Sequence, residues 1–137
     1  MTAARIPGWE RRLAEAVEAA RDRPFRWGHH DCATWAFDLR RQIAGGDDVA
    51  ARWRGRYTTA RGAERVMRRL GYASLEEAGR DLLGKPLPSV NLAQRGDLVL
   101  ADTGLGFGVC FGARAAGIAP SGLVLVPMSN CKLAWRV

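Results

Sequence analysis

His29, His30, Asp31 and Cys32 form an unbroken run of side chains able to bind a proton or a metal, placed between Trp27-Gly28 and a stretch of helical periodicity. Asp31 is a good helix N-cap, and Cys32, Ala36, Leu39 and Ile43 then recur on one helical face as far as the Gly45-Gly46 stop. A helix beginning there puts Cys32 in the first turn, where unpaired N–H groups and the positive end of the helix dipole favour a thiolate. A thiol nucleophile also needs a base within hydrogen-bond reach and a third group that orients the base. The sequence holds just two histidines, His29 and His30, both ahead of Cys32 on its own loop. Cys32 is therefore the candidate nucleophile and His30, folded back toward the first turn, the candidate base. Asp31, occupied as the cap, makes a poor third member. The competing and preferred reading is a small buried Cys32 at a helix–sheet junction, where free cysteines commonly reside.

The same side chains could be metal ligands, with Cys110 or Cys131 brought in from elsewhere. Neighbours on one loop seldom converge on one ion, and neither Cys-x-x-Cys nor His-Glu-x-x-His spacing occurs. A zinc site drawing on Cys32, Cys110 and Cys131 is thus held in reserve. An iron–sulfur cluster is weaker still, because it needs four ligands, usually all cysteine, and the chain has 3 Cys. No metal or cofactor is expected. The stretch Gly104-Leu105-Gly106-Phe107-Gly108 looks like a phosphate-cradling loop but lacks a following helix and a Lys-Ser/Thr, so it reads as a turn between strands. Trp27, Trp35, Trp53 and Trp135 could line a cleft, though large aromatics in a small domain usually form its core.

The elements that would position this cluster are legible from period and punctuation. Trp9, Leu13, Val17 and Ala20 predict a first helix over 9–21, stopped by Pro24. The Asp31-capped helix is the second. A short turn capped by Asp47 or Asp48 runs to Trp53, a third helix spans 59–70, and Ser74 with Glu77 opens a fourth that ends at Gly84. Beyond Lys85-Pro86-Leu87-Pro88 short apolar runs alternate with glycine, predicting antiparallel strands at 98–101, 108–111, 123–126 and 134–137, with 112–122 left as an irregular strand or a loop. Helices over about 9–84 and strands over about 96–137, without βαβ alternation, give one α+β domain over 1–137, its N-terminal helices packed on a small C-terminal antiparallel sheet.

Bulk properties narrow the classes. The 137 residues suffice for one domain with a real core, and 47% hydrophobic against 26% charged residues is ordinary for a globular protein. Neither a secretory h-region nor a membrane-length apolar run is present, so folding in a cytosol with reduced thiols is expected. The net charge of +7 comes from 19 Arg against two Lys, densest over Arg52, Arg54, Arg56, Arg61, Arg65, Arg68 and Arg69. On the third helix Arg61, Arg65 and Arg68 lie opposite Ala63, Val66, Met67 and Leu70, as on a solvated face. An acidic partner is the sharper reading. Nucleic acid ranks low, since neither interleaved aromatics nor a DNA-binding spacing accompanies the arginines.

Trp27-Gly28, then Asp31-Cys32 opening a helix, then Gly96-Asp97-Leu98-Val99 opening the first strand is similar to the NlpC-type cell-wall peptidases of the papain fold. In that superfamily the next strand carries a catalytic histidine facing the cysteine. Here Gly106-Phe107-Gly108-Val109-Cys110-Phe111-Gly112 resembles that strand with Gly106 in the histidine's place, so the base is missing. Phe25, Trp27-Gly28, His30-Asp31-Cys32, Tyr57, Gly96-Asp97, Gly108-Val109, Gly122-Leu123 and Ala134-Trp135-Arg136 together resemble a small family encoded among the tail genes of tailed phages, prophages and gene transfer agents. That resemblance implies a protein made in a bacterial host cytoplasm and carried in the virion tail, with tail-tip and hub proteins as partners. It would be a structural or assembly part of degenerate peptidase fold. The alternative is an active cysteine amidase or endopeptidase that cuts peptidoglycan stems with Cys32 during entry.

Overall fold

The structure is a computed structural model and describes residues 4–102 and 106–137. Four helices precede five strands: α1 (Trp9–Ala20), α2 (Cys32–Ala44), α3 (Ala60–Arg69), α4 (Leu75–Leu83), β1 (Leu98–Ala101), β2 (Phe107–Cys110), β3 (Arg114–Ala119), β4 (Gly122–Pro127) and β5 (Cys131–Trp135). Short 3-10 turns at Val49–Arg52, Val90–Leu92 and Met128–Asn130 link them. The expected α+β order holds. The strands form one antiparallel sheet in the order β4-β3-β2-β1-β5.

Local chemistry fixes three helix starts. Asp31, Thr59 and Ser74 each accept a hydrogen bond from the backbone N–H three residues on, satisfying a donor the helix leaves free. Glu77 reaches back to the Ala73 N–H, completing the expected capping arrangement one residue further out than usual. The α3 arginines Arg61, Arg65 and Arg68 are exposed, while Val66 is buried and Ala63, Met67 and Leu70 pack against the core.

Two departures from the sequence reading have physical causes. The 112–122 stretch holds a full strand, β3, with Ala115, Ala116 and Ile118 almost completely buried. Its small residues suit a strand covered on both faces, where bulk and alternation are not required. β5 begins three residues earlier than expected, at Cys131, because its pairing with β1 crosses a bulge between Leu100 and Ala101. The turn expected at Gly104-Leu105-Gly106 lies partly outside the described residues.

The sheet is buried on both sides. Leu98, Phe107, Val109, Ala116, Ile118 and Trp135 join the residues of α1 and α2 in the main core. Val99, Cys110, Ala115, Cys131 and Ala134 face the opposite way, under Leu87, Val90 and Ala93. Among the described residues no helix is long and apolar enough to cross a membrane.

Candidate active site

The loop ahead of α2 is folded by its own backbone. Arg26 and His30 exchange N–H···O bonds of 3.0 and 2.8 Å. Gly28 has a φ of +80°, and a Cβ on it would stand 2.6 Å from the Tyr57 carbonyl oxygen, so the glycine of Trp27-Gly28 is required by conformation and by space. Its carbonyl accepts from the Gly55 N–H at 2.9 Å. Asp31, only 2% exposed, closes the loop: Oδ1 accepts from the Thr34 N–H at 2.9 Å, and Oδ2 from the Gly28 N–H at 2.8 Å and the Tyr57 hydroxyl at 2.5 Å. Burial and this bond to Asp31 push the Tyr57 pKa up and keep the phenol a donor.

Cys32 is the first residue of α2, where the sequence placed it. Burial pushes its thiol up to about 11, and the N–H of Phe107 only partly offsets that, while the charge of Asp31 adds to the rise. The N–H groups of Ala33 and Cys32 itself also pull the pKa down, as expected at a helix N-terminus. Desolvation wins. At neutral pH the sulfur is a thiol, the less nucleophilic state.

Gly106, just before β2, lies against this sulfur. Its φ is +73°, and a Cβ there would stand 2.7 Å from Cys32 Sγ and 3.3 Å from Leu75 Cδ1. The space an imidazole stem would need is taken by the thiol. His30 is not hydrogen-bonded to this sulfur. Its ring is buried at 2% exposure with neither nitrogen hydrogen-bonded, and burial followed by the charge of Arg23 lowers its pKa despite Asp31. His29 and His30 both line a groove of about 1190 Å³ between α1 and α2. Cys32 lines a separate cleft of about 590 Å³, walled by Trp27, Tyr57, Met67, Leu75 and Leu100, with Lys132 at its margin paired to Glu76 at 2.8 Å. The run of four polar residues therefore divides: Asp31 and Cys32 belong to the cleft, the histidines to the groove behind it.

Asp97 of the Gly-Asp motif does a different job. It is fully buried, with Oδ1 accepting from Arg5 at 2.8 Å and from the Val137 N–H at 3.0 Å, and Oδ2 from the Gln94 N–H at 2.8 Å. Arg5 also donates to the carbonyls of Val137 and Arg95 and lies over the Trp9 ring at 4.1 Å. Gly96 is held close by the same arginine, since a Cβ there would stand 2.9 Å from Arg5 Nη1. Trp135 is a core residue whose indole N–H donates to the Gly84 carbonyl at 2.9 Å. The pairing of Arg5 with Asp97, and the hydroxyl of Tyr57 on Asp31, escape a sequence reading. Their only signal was the presence of Tyr57 and Asp97 in the pattern.

A family model described as a domain of unknown function (DUF6950) matches residues 4–137, which takes in both the cleft and the Arg5–Asp97 pair. The chain belongs to this family. No curated protein matches it. In this DUF6950 domain Cys110 and Cys131 are buried on the face of the sheet away from Cys32, so the three thiols held in reserve for a metal do not converge. Among the described residues no three His, Cys, Asp or Glu side chains group as metal ligands.

Proposed function

We propose that this DUF6950 chain is a structural or assembly component of a phage tail, at the tip or hub, built on a degenerate papain-like cysteine-peptidase fold. Support for the papain-like part lies in the juxtaposition of a cysteine at a helix N-terminus with the start of the sheet's second strand, the two places where such enzymes carry nucleophile and base. Support for the loss of catalysis lies in one observation: the strand meets the sulfur with Gly106, whose missing Cβ would already overlap Sγ. A protonated thiol without a base has no means of forming the nucleophile. The chain would be made in the bacterial host cytoplasm and carried in the tail beside tip and hub proteins.

The backbone N–H groups of Phe107, Ala33 and Cys32, which pull the thiol's pKa down, favour the alternative, a peptidoglycan amidase or endopeptidase using Cys32. Incubating purified protein and its Cys32→Ala variant with peptidoglycan separates the two. No release of stem peptides by either is expected; release by the wild type alone ends the structural reading. Mass spectrometry of purified tails tests the placement, and particles that lack the chain overturn it.

A further inference from the structure

The two edges of the sheet are finished differently. β5 is shielded: the Leu87 N–H donates to the Ala134 carbonyl at 2.8 Å, Lys132 projects as an exposed charge, and the bulge distorts the pairing behind it. Charges, bulges and covering segments are the usual means by which an edge is kept from pairing with another chain. β4, Gly-Leu-Val-Leu-Val-Pro, has none of these except the proline at its end. Among the described residues it pairs with β3 alone; it carries no ionisable side chain, and Leu125 is 37% exposed.

The hydrogen-bond register says which groups the edge offers. β3 and β4 join through a two-residue turn with Ala119 opposite Gly122, and past the far end the Met128 N–H donates to the Ala113 carbonyl. Bonded pairs alternate along an antiparallel ladder, so Gly122, Val124 and Val126 direct their backbone groups to β3, whereas Leu123 and Leu125 direct theirs outward. Among the described residues no backbone bond outside the β3–β4 ladder reaches Leu123 or Leu125.

We propose that β4 is a self-association edge, pairing antiparallel with β4 of a second copy of this chain about a two-fold axis at Val124. In that register Leu123 lies opposite Leu125 of the second copy and the reverse, and the N–H and C=O groups left open on each are those the other requires. Any shift by one residue sets outward groups against inward ones and turns the two helix layers to opposite faces. A shift by two one way places Leu123 opposite Pro127, which has no N–H to donate, and the other way places Leu125 opposite Ser121, in the turn outside β4. The self-matched register is thus the one in which the free groups of Leu123 and Leu125 all find partners within β4. Leucine meets leucine on the helix side and valine meets valine on the other, and the net charge of +7 brings no like charges into the seam itself. One short strand per copy buries less than the roughly 1,200–2,000 Å² of stable interfaces, so the pair is concentration-dependent. The proposal does not rest on the Cys32 cleft, and neither reading fails with the other.

Sedimentation velocity over a concentration series, up to the solubility limit, is the test, joined to hydrogen exchange of backbone amides. The expected result is a rise toward twice the 15.0 kDa protomer mass, with the Leu123 and Leu125 amides becoming protected in step. Leu125→Pro removes an outward donor without touching the β3 ladder, and Leu125→Lys sets two like charges beside the seam; both are expected to remain monomeric with an unchanged circular dichroism spectrum. If the proline variant does not fold, the lysine variant and the wild-type exchange data decide. A wild type that stays monomeric throughout, or a dimer that survives either substitution or leaves these two amides unprotected, overturns the proposal.

Discussion

Asp97 and Cys32 both belong to the sequence pattern on which the proposed peptidase-like reading rests, yet their surroundings are opposites. At Asp97 both carboxylate oxygens are occupied, by Arg5, the Gln94 N–H and the Val137 N–H, with Arg136 at 3.6 Å. Arg5 comes from the start of the described chain and Val137 from its end, so one buried carboxylate fastens both to the head of β1. At Cys32 nearby backbone N–H groups pull the thiol's pKa down but burial and Asp31 push it up, and among the described residues no titratable side chain is hydrogen-bonded to the sulfur. Such an unmatched thiol contributes to the fold mainly as volume. At Asp97 the fold uses the charge of the side chain, whereas at Cys32 it uses mainly a small volume.

The sharpest way to break this contrast is to remove the carboxylate. Asp97→Ala strands a mostly buried guanidinium and two backbone donors, a loss of about 3–5 kcal/mol for an ion pair broken on one side. That is a large part of the roughly 5–15 kcal/mol a domain possesses. Urea denaturation followed by circular dichroism measures it, with Cys32→Ala as the reference for the other region. Equal losses at the two sites would erase the distinction.

That asymmetry also explains what could be read from the sequence. The cap of α2 by Asp31 and the place of Cys32 were legible because capping depends on residues three apart, and the same holds for Thr59 and Ser74. Which way His30 points was not, since the Arg26–His30 backbone pairing turns it into the α1–α2 groove and nothing in a run of polar residues encodes that rotation. Arg5, one of 19 arginines, was not singled out in the sequence because its partner is 92 positions away. β3 stayed undecided between an irregular strand and a loop for the opposite reason: a strand covered on both faces selects for small residues and loses the alternation that marks a half-exposed one.

A finer test acts within the cleft. Gly106→Ala adds a Cβ at positive φ and 2.7 Å from Cys32 Sγ, and about 1–3 kcal/mol of destabilisation is expected from the two effects together. Only the second depends on the thiol. Adding Cys32→Ala removes the sulfur, so the double variant is expected to recover about 1 kcal/mol relative to the sum of the single changes. A double-mutant cycle with no coupling would mean that backbone conformation alone holds the glycine, and the argument that the thiol fills the histidine's space would lose its basis.

The smallest effect is the most diagnostic of the thiol's state. In the unfolded chain Cys32 titrates near the ordinary value of about 8.5, and in the fold burial pushes it up to about 11. The folded state therefore holds the proton more tightly than the unfolded one. The stability linked to that proton is fully present below about pH 8.5 and is lost as pH rises toward 11. Near pH 9.5 the loss should be about 1.4 kcal/mol. Cys131 is pushed up to about 11 as well, first by burial, and contributes a like share on the other face of the sheet. Cys32→Ala should accordingly flatten, without abolishing, the alkaline fall of stability measured by urea titration between pH 8 and 11. In parallel, alkylation of Cys32 by iodoacetamide should be slow at pH 7 and climb toward a midpoint near 11. A midpoint below 7 would mean that a positive partner holds the thiolate in solution, and Cys32 would then have to be counted with Asp97 among the residues whose chemistry is still in use.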